Sequence, residues 1–151
     1  MQAKYRRLRE EAYAQGAAEY AALAADPTFR DFVVLYIAEG FKRDRNCVAI
    51  CNSDGAVMAV VHRSVLRLFS KRLGYSVQYH ADQDLDALRS YWGETLGIDG
   101  SLITVLRKSN SSKLKGRSWR SEFGVLTVRT SDTYLRARLQ AGIDLIKRGW
   151  G

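Results

Sequence analysis

Residues 32–40 read Phe-Val-Val-Leu-Tyr-Ile-Ala-Glu-Gly, an apolar run that closes on one acid and one glycine. Asp26-Pro27 stands just upstream, and Pro27 is the only proline in the chain. An aspartate can cap a helix with its side chain, and proline suits the first helical position because its missing N–H would go unused there. The spacing therefore predicts a helix from Pro27 to Glu39. Gly40 is expected to end it in the left-handed conformation that glycine adopts at little cost. Glu39 is the odd member, because the carbonyl end of a helix disfavours an anion. A carboxylate there costs stability unless a cation shares the site, and a divalent metal would be such a cation.

Outward from this stretch, 151 residues with 46% hydrophobic and 26% charged side chains fit one globular domain with a real core, not a disordered chain. Lys and Arg number 24 against 16 acids, a formal charge of +8. That excess favours an anionic partner, nucleic acid first and a membrane surface second. No apolar run approaches the ~20 residues that span a bilayer, and the N-terminus reads as a charged helix, not a signal peptide, so the cytoplasm is expected (the nucleoid, if bacterial). Cys47 and Cys51 share one face of a predicted strand, beyond a disulfide's reach, and read as reduced core cysteines. His62 and His80 stand alone without zinc spacing.

In chain order, residues 1–26 read as a helical arm with Lys4, Arg6, Arg7 and Arg9 in its first turns. A basic arm on DNA, a packing element and the remnant of a longer module all remain open for it. Residues 27–151 read as one domain. After the central helix, two short strands, 41–43 and 46–51, are predicted around a tight turn at Asp44-Arg45. Asn52-Ser53-Asp54 caps a helix to about Leu73, with Val57, Val60, Val61, Val65, Leu66 and Leu68 as its stripe. A strand at 75–80 places Tyr75, Val77 and Tyr79 on one side. A helix at 82–96, a strand at 102–107, a polar basic loop at 108–120 and a strand at 124–130 follow. Ser131 or Asp132 caps a last helix that turns Leu135, Leu139, Ile143 and Ile146 inward. The fold class is α+β, with an antiparallel or mixed sheet covered by helices.

The residues Leu35-Tyr36-Ile37-Ala38-Glu39-Gly40 resemble the second half of the LAGLIDADG motif of homing endonucleases. The order of elements from about Thr28 to Lys147 is also similar to that family's core, with one extra helix, 82–96, inserted in the second half. The resemblance implies a LAGLIDADG-like domain whose motif helix packs against that of a second subunit, so one motif per chain implies a homodimer. It implies that Glu39 of each subunit holds a divalent metal, Mg²⁺, over the scissile phosphates of double-stranded DNA while the sheet lies on the duplex. Asp54, with Asn52, stands where the family often orders the water network. A basic residue near the scissile phosphate is expected from the second half of the fold, with Lys108, Lys113 and Lys115 as candidates and Lys113 assigned the catalytic role beside Glu39 and Asp54.

The segment Arg107–Arg120 is the strongest nucleic-acid signal read from residues alone. Arg107, Lys108, Lys113, Lys115, Arg117 and Arg120 fall within it with no acid among them, and Trp119 adds a flat aromatic. Lys42, Arg43 and Arg45 extend the positive face, with Arg129, Arg136 and Arg138 as further members. Two positions depart from the family. Val33 and Val34 stand where it carries small residues, and the first hairpin is short, which predicts a smaller footprint on DNA. The functional expectation is a homodimeric Mg²⁺-dependent DNA endonuclease, set against a non-catalytic DNA-binding regulator using the same face. An RNA-binding module is the third reading, weakened by the lack of a surface aromatic pair on any strand.

Overall fold

The computed structural model describes residues 1–68, 72–108 and 121–151. Helix α1 spans Gln2–Leu23 and α2 spans Pro27–Glu39. Asp26 caps α2, its side chain accepting from the Thr28 N–H at 2.9 Å, with Pro27 in the first turn. Strand β1 is Cys47–Asn52, α3 is Gly55–Leu68, β2 is Gly74–Tyr79 and α4 is Leu85–Leu96. A 3₁₀ turn, Gly100–Leu102, enters β3 at Ile103–Arg107; β4 is Val125–Ser131 and α5 is Thr133–Gly149. Among the described residues the architecture is a mixed α+β fold of five α-helices and a four-stranded sheet.

The sheet order is β1-β4-β2-β3. β4 runs antiparallel to both β1 and β2, whereas β2 and β3 are parallel. The inserted helix α4 explains the mixture, since a parallel pair needs a crossover and α4 provides it. Paired residues share a face, and on the inner face lie Val48, Ile50, Leu126, Val128, Val77 and Ile103, all buried. They join one core with Phe29, Phe32, Val33 and Tyr36 of α2, Val61 and Val65 of α3, Trp92 of α4 and Leu135, Leu139, Ile143 and Ile146 of α5. Each such side chain contributes roughly 1.5–3 kcal/mol by leaving water.

Four expectations need correction. The strand at 41–43 does not form: Gly40 makes an isolated bridge to Ile50, Phe41 N–H donates to the Ala49 carbonyl, and the Asp44 carboxylate then turns the chain by accepting from Asn46 N–H. Gly40 is extended (φ −75°, ψ 155°), not left-handed. Its glycine is required by close approach, because a Cβ would sit 2.6 Å from the Tyr36 ring. The α3 stripe is rotated from the one expected: Met58, Val61, His62 and Val65 are buried while Leu66 is exposed, and the chain is no longer helical by Arg72. The helix predicted from residue 82 starts at Leu85, because Asp84 takes the cap by accepting from Asp86 and Ala87 N–H.

Helix α1 packs along α5. The Tyr13 hydroxyl donates to Asp144 at 2.7 Å, and Arg138 pairs with Glu19 through two bonds of 3.0 and 2.9 Å. At Gly16 a Cβ would lie 2.5 Å from the Arg138 carbonyl, so the helices touch backbone to backbone there. Of the three roles open to this helix, packing is the one described. Both cysteines are free, as expected. No helix among the described residues is long and apolar enough to cross a membrane.

Candidate nucleic-acid interface

The outer face of the sheet follows from strand alternation. It presents Thr127 and Arg129 from β4, Ser76 and Gln78 from β2, and Thr104 and Leu106 from β3. Arg129, Gln78, Thr104 and Leu106 are exposed, Ser76 and Thr127 half-buried, and no acid occurs among these positions. Toward β1 the face closes, for Cys47 and Ala49 are buried. There the Asp44 carboxylate reaches over to 3.8 Å from Arg129. The Asn46 N–H and then the Cys47 thiol, followed by the nearby arginines, hold Asp44 below the usual carboxylate range, while burial, with Asp44 adding to it, pushes the Cys47 thiol up.

Glu39 is exposed in the last turn of α2. The helix end has its cation in Lys42, whose Nζ donates to the carbonyls of Ile37 at 2.8 Å and Gly40 at 2.9 Å. The carbonyl end of α2 thus has a protein ammonium on its backbone oxygens. Burial raises the Cys51 thiol above its ordinary value, and the charge of Glu39 adds to the rise. Asp54 serves as a helix cap: its carboxylate accepts from Ala56 N–H at 2.8 Å and Val57 N–H at 3.2 Å, while Asn52 accepts from Asp54 N–H. Among the described residues, no three His, Cys, Asp or Glu side chains gather where a metal ion would fit.

The basic candidates separate into three places. Arg107 and Lys108 end β3, where Lys108 N–H donates to the Tyr79 carbonyl at 2.9 Å. Lys113, Lys115, Arg117 and Arg120, with Trp119, lie outside the described residues. Lys42, Arg43 and Arg45 are brought together with Arg9 of α1 and Arg136 of α5 around a cavity of about 370 Å³. Arg138 is spent on Glu19 and joins no positive face. Trp92 is core, its indole N–H donating to the Phe123 carbonyl at 2.8 Å, and Tyr91 stacks on Phe123.

Two residues of this arrangement were missed as a pair, Arg9 and buried Arg136. A signal existed: Arg136, Gln140 and Asp144 repeat every four residues and form a polar stripe beside the apolar one. No protein family, curated protein or solved structure matches this chain.

Proposed function

We propose that the chain is a duplex-DNA-binding protein of LAGLIDADG type, working as a homodimer joined through α2. The observation that carries this reading is the outer sheet face: Arg129, Gln78, Thr104, Ser76 and Thr127 with Leu106, whose strand positions hold no acid although Asp44 reaches Arg129 from the edge, over a sheet whose other face is filled by core. Such a surface offers donors to phosphates and base edges, with Asp44, in a long and exposed pair, as the internal anion that Arg129 would exchange. Arg107 and Lys108 at the end of β3 begin, in sequence, the acid-free run of six basic residues that ends at Arg120. For the dimer, Val33 turns into its own core and so does not hold two helices apart. Val34 and Leu35 are half-buried with part of their surface against the core, and Ala38 is exposed, so the surface left to a partner helix is what these three still show.

A second reading, cleavage of the bound duplex, is favoured by one observation, the exposed carboxylate of Glu39 at the end of α2. Mg²⁺ takes few protein carboxylates and keeps its waters, so one Glu39 from each subunit would suit it. When bound, the ion polarises a phosphate and activates a water. Lys113 remains the candidate cation for the departing charge in that reading.

The test is incubation with a randomised duplex library and Mg²⁺, sequencing both retained fragments and new ends, with Glu39→Gln alongside. DNA binding is expected in wild type and mutant alike. New ends at a shared motif, lost in Glu39→Gln, would establish cleavage as well. Arg129→Ser should weaken retention and lower the salt dependence by about one phosphate contact. No retention of duplex DNA at low salt would overturn the proposal.

A further inference from the structure

Arg136 is only 4% exposed. Its Nη1 donates to Gln140 Oε1 at 2.9 Å and its Nη2 to the Lys42 carbonyl at 3.2 Å. The guanidinium carbon stands 5.8 Å from the centroid of the Tyr36 ring. These hydrogen-bond partners are neutral, and among the described residues Nε has none; Asp44 acts on the guanidinium only through space. A buried cation hydrogen-bonded only to neutral groups is costly, because they return little of the solvation it lost.

The cavity beside it sharpens the point. Its lining holds Arg9, Lys42, Arg43, Arg45 and Arg136, and no acid. The carboxylates close by are engaged elsewhere. Asp144 accepts from Tyr13 and from Gln140, and Asp44 accepts from Asn46 N–H and faces Arg129. Lys42 is itself turned to the end of α2. Four arginines are left lining a space the size of a small-molecule site. Guanidinium donors match the oxygens of a phosphate with paired N–H groups, and a doubly charged oxyanion offsets several cations at once.

We infer that the cavity enclosed by α1, residues 42–45 and α5 is a phosphate-binding pocket anchored by Arg136. The phosphate comes from a free phosphate monoester such as a nucleotide or from the backbone of a nucleic acid, and the chemistry of recognition is the same. The inference does not rest on DNA binding by the sheet face, since the pocket is formed by other side chains.

The experiment is isothermal titration of the full chain with inorganic phosphate at constant ionic strength, with chloride as the control. Saturable binding at one site per chain is expected. Arg9→Ser/Arg45→Ser should weaken it at least tenfold, whereas Arg6→Ser/Arg7→Ser, which removes equal charge outside the cavity, should leave it within twofold. Arg136→Met should abolish it; should that protein fail to fold, the Arg9/Arg45 pair carries the test, being remote from the core. Displacement of phosphate by adenosine monophosphate but not by a duplex oligonucleotide identifies a free monoester as the ligand. Displacement by the duplex identifies the nucleic-acid backbone. Phosphate that binds no better than chloride, or equally well in the Arg9/Arg45 variant, overturns the pocket. Because the duplex-library test reads Arg129, a failure here and a failure there are separate results.

Discussion

Arg138 and Arg136 lie two residues apart on one helix and are treated in opposite ways. Arg138 meets Glu19 of α1 with both oxygens engaged, on a flank where Gly16 lets the backbones touch. Arg136 is buried more deeply, on a flank where α1 supplies another cation, Arg9, and no acid. The first arginine is neutralised within the fold and works as a clamp. The second is hydrogen-bonded only to neutral groups, a charge the fold compensates only in part, which costs stability and is worth keeping where an anion from outside completes it. The chain's +8 charge is therefore not one diffuse property. Part of it is solvated, part is clamped, and part is held in reserve.

The largest test of this contrast attacks the clamp. In Gly16→Val the new side chain would collide with the Arg138 carbonyl, which should cost about 2–3 kcal/mol by overpacking, read by urea unfolding. Unchanged stability would show that α1 does not dock as described. Next comes the clamp's charge pair. Glu19→Ala and Arg138→Ala should each cost about 1–2 kcal/mol, and the double mutant should cost little more than either, a coupling that a double-mutant cycle measures. Smaller still, Arg136→Met in phosphate-free buffer should cost under about 1 kcal/mol, because removing a poorly compensated charge offsets the two lost hydrogen bonds. If it instead costs more than Arg138→Ala, the proposed contrast between the two arginines is wrong.

The smallest effect is a pH dependence on the boundary between the flanks. The hydrogen bond to Asp144 raises the Tyr13 hydroxyl above its ordinary 10.0, with burial and the carboxylate's charge adding to it. A folded value above the unfolded one means the contribution is fully present below pH 10 and is lost as pH rises through the folded value. Wild type should therefore exceed Tyr13→Phe in stability at pH 8, and the difference should close in strong alkali. A difference that persists there would mean the hydroxyl is not the contact that matters.

Much of the fold was legible because local chemistry and tertiary demand agree. Asp26-Pro27 capped α2 where the sequence placed the start, and Asp132 capped α5 by accepting from Leu135 N–H at 3.0 Å. The alternation Tyr75, Val77, Tyr79 marked the inner side of β2. Failures came where the deciding contact is made by a side chain that no local pattern announces. No window around residue 41 reveals that Tyr36 will donate its hydroxyl to the Phe41 carbonyl at 2.7 Å and fold that segment against the helix end instead of into a hairpin. Lys42 was assigned to a DNA-facing surface, whereas its ammonium lies on the carbonyls that end α2. The Arg136 pocket was illegible for a related reason, since its walls come from residues 9, 42–45 and 136.

The position of β4 also has a consequence for how the protein is made. This strand lies between β1 and β2, yet it is the last of the four to be synthesised. Pairing Cys47 with Ser131 spans most of the chain, and until residue 131 has left the ribosome β1 lacks its partner along that edge while β2 is paired only with β3. Long-range closure of this kind slows folding, because the entropy of the loop is lost before the contact is gained. A nascent chain stalled before residue 125 would carry two unjoined sheet fragments with open edges, the form in which it is most exposed to aggregation.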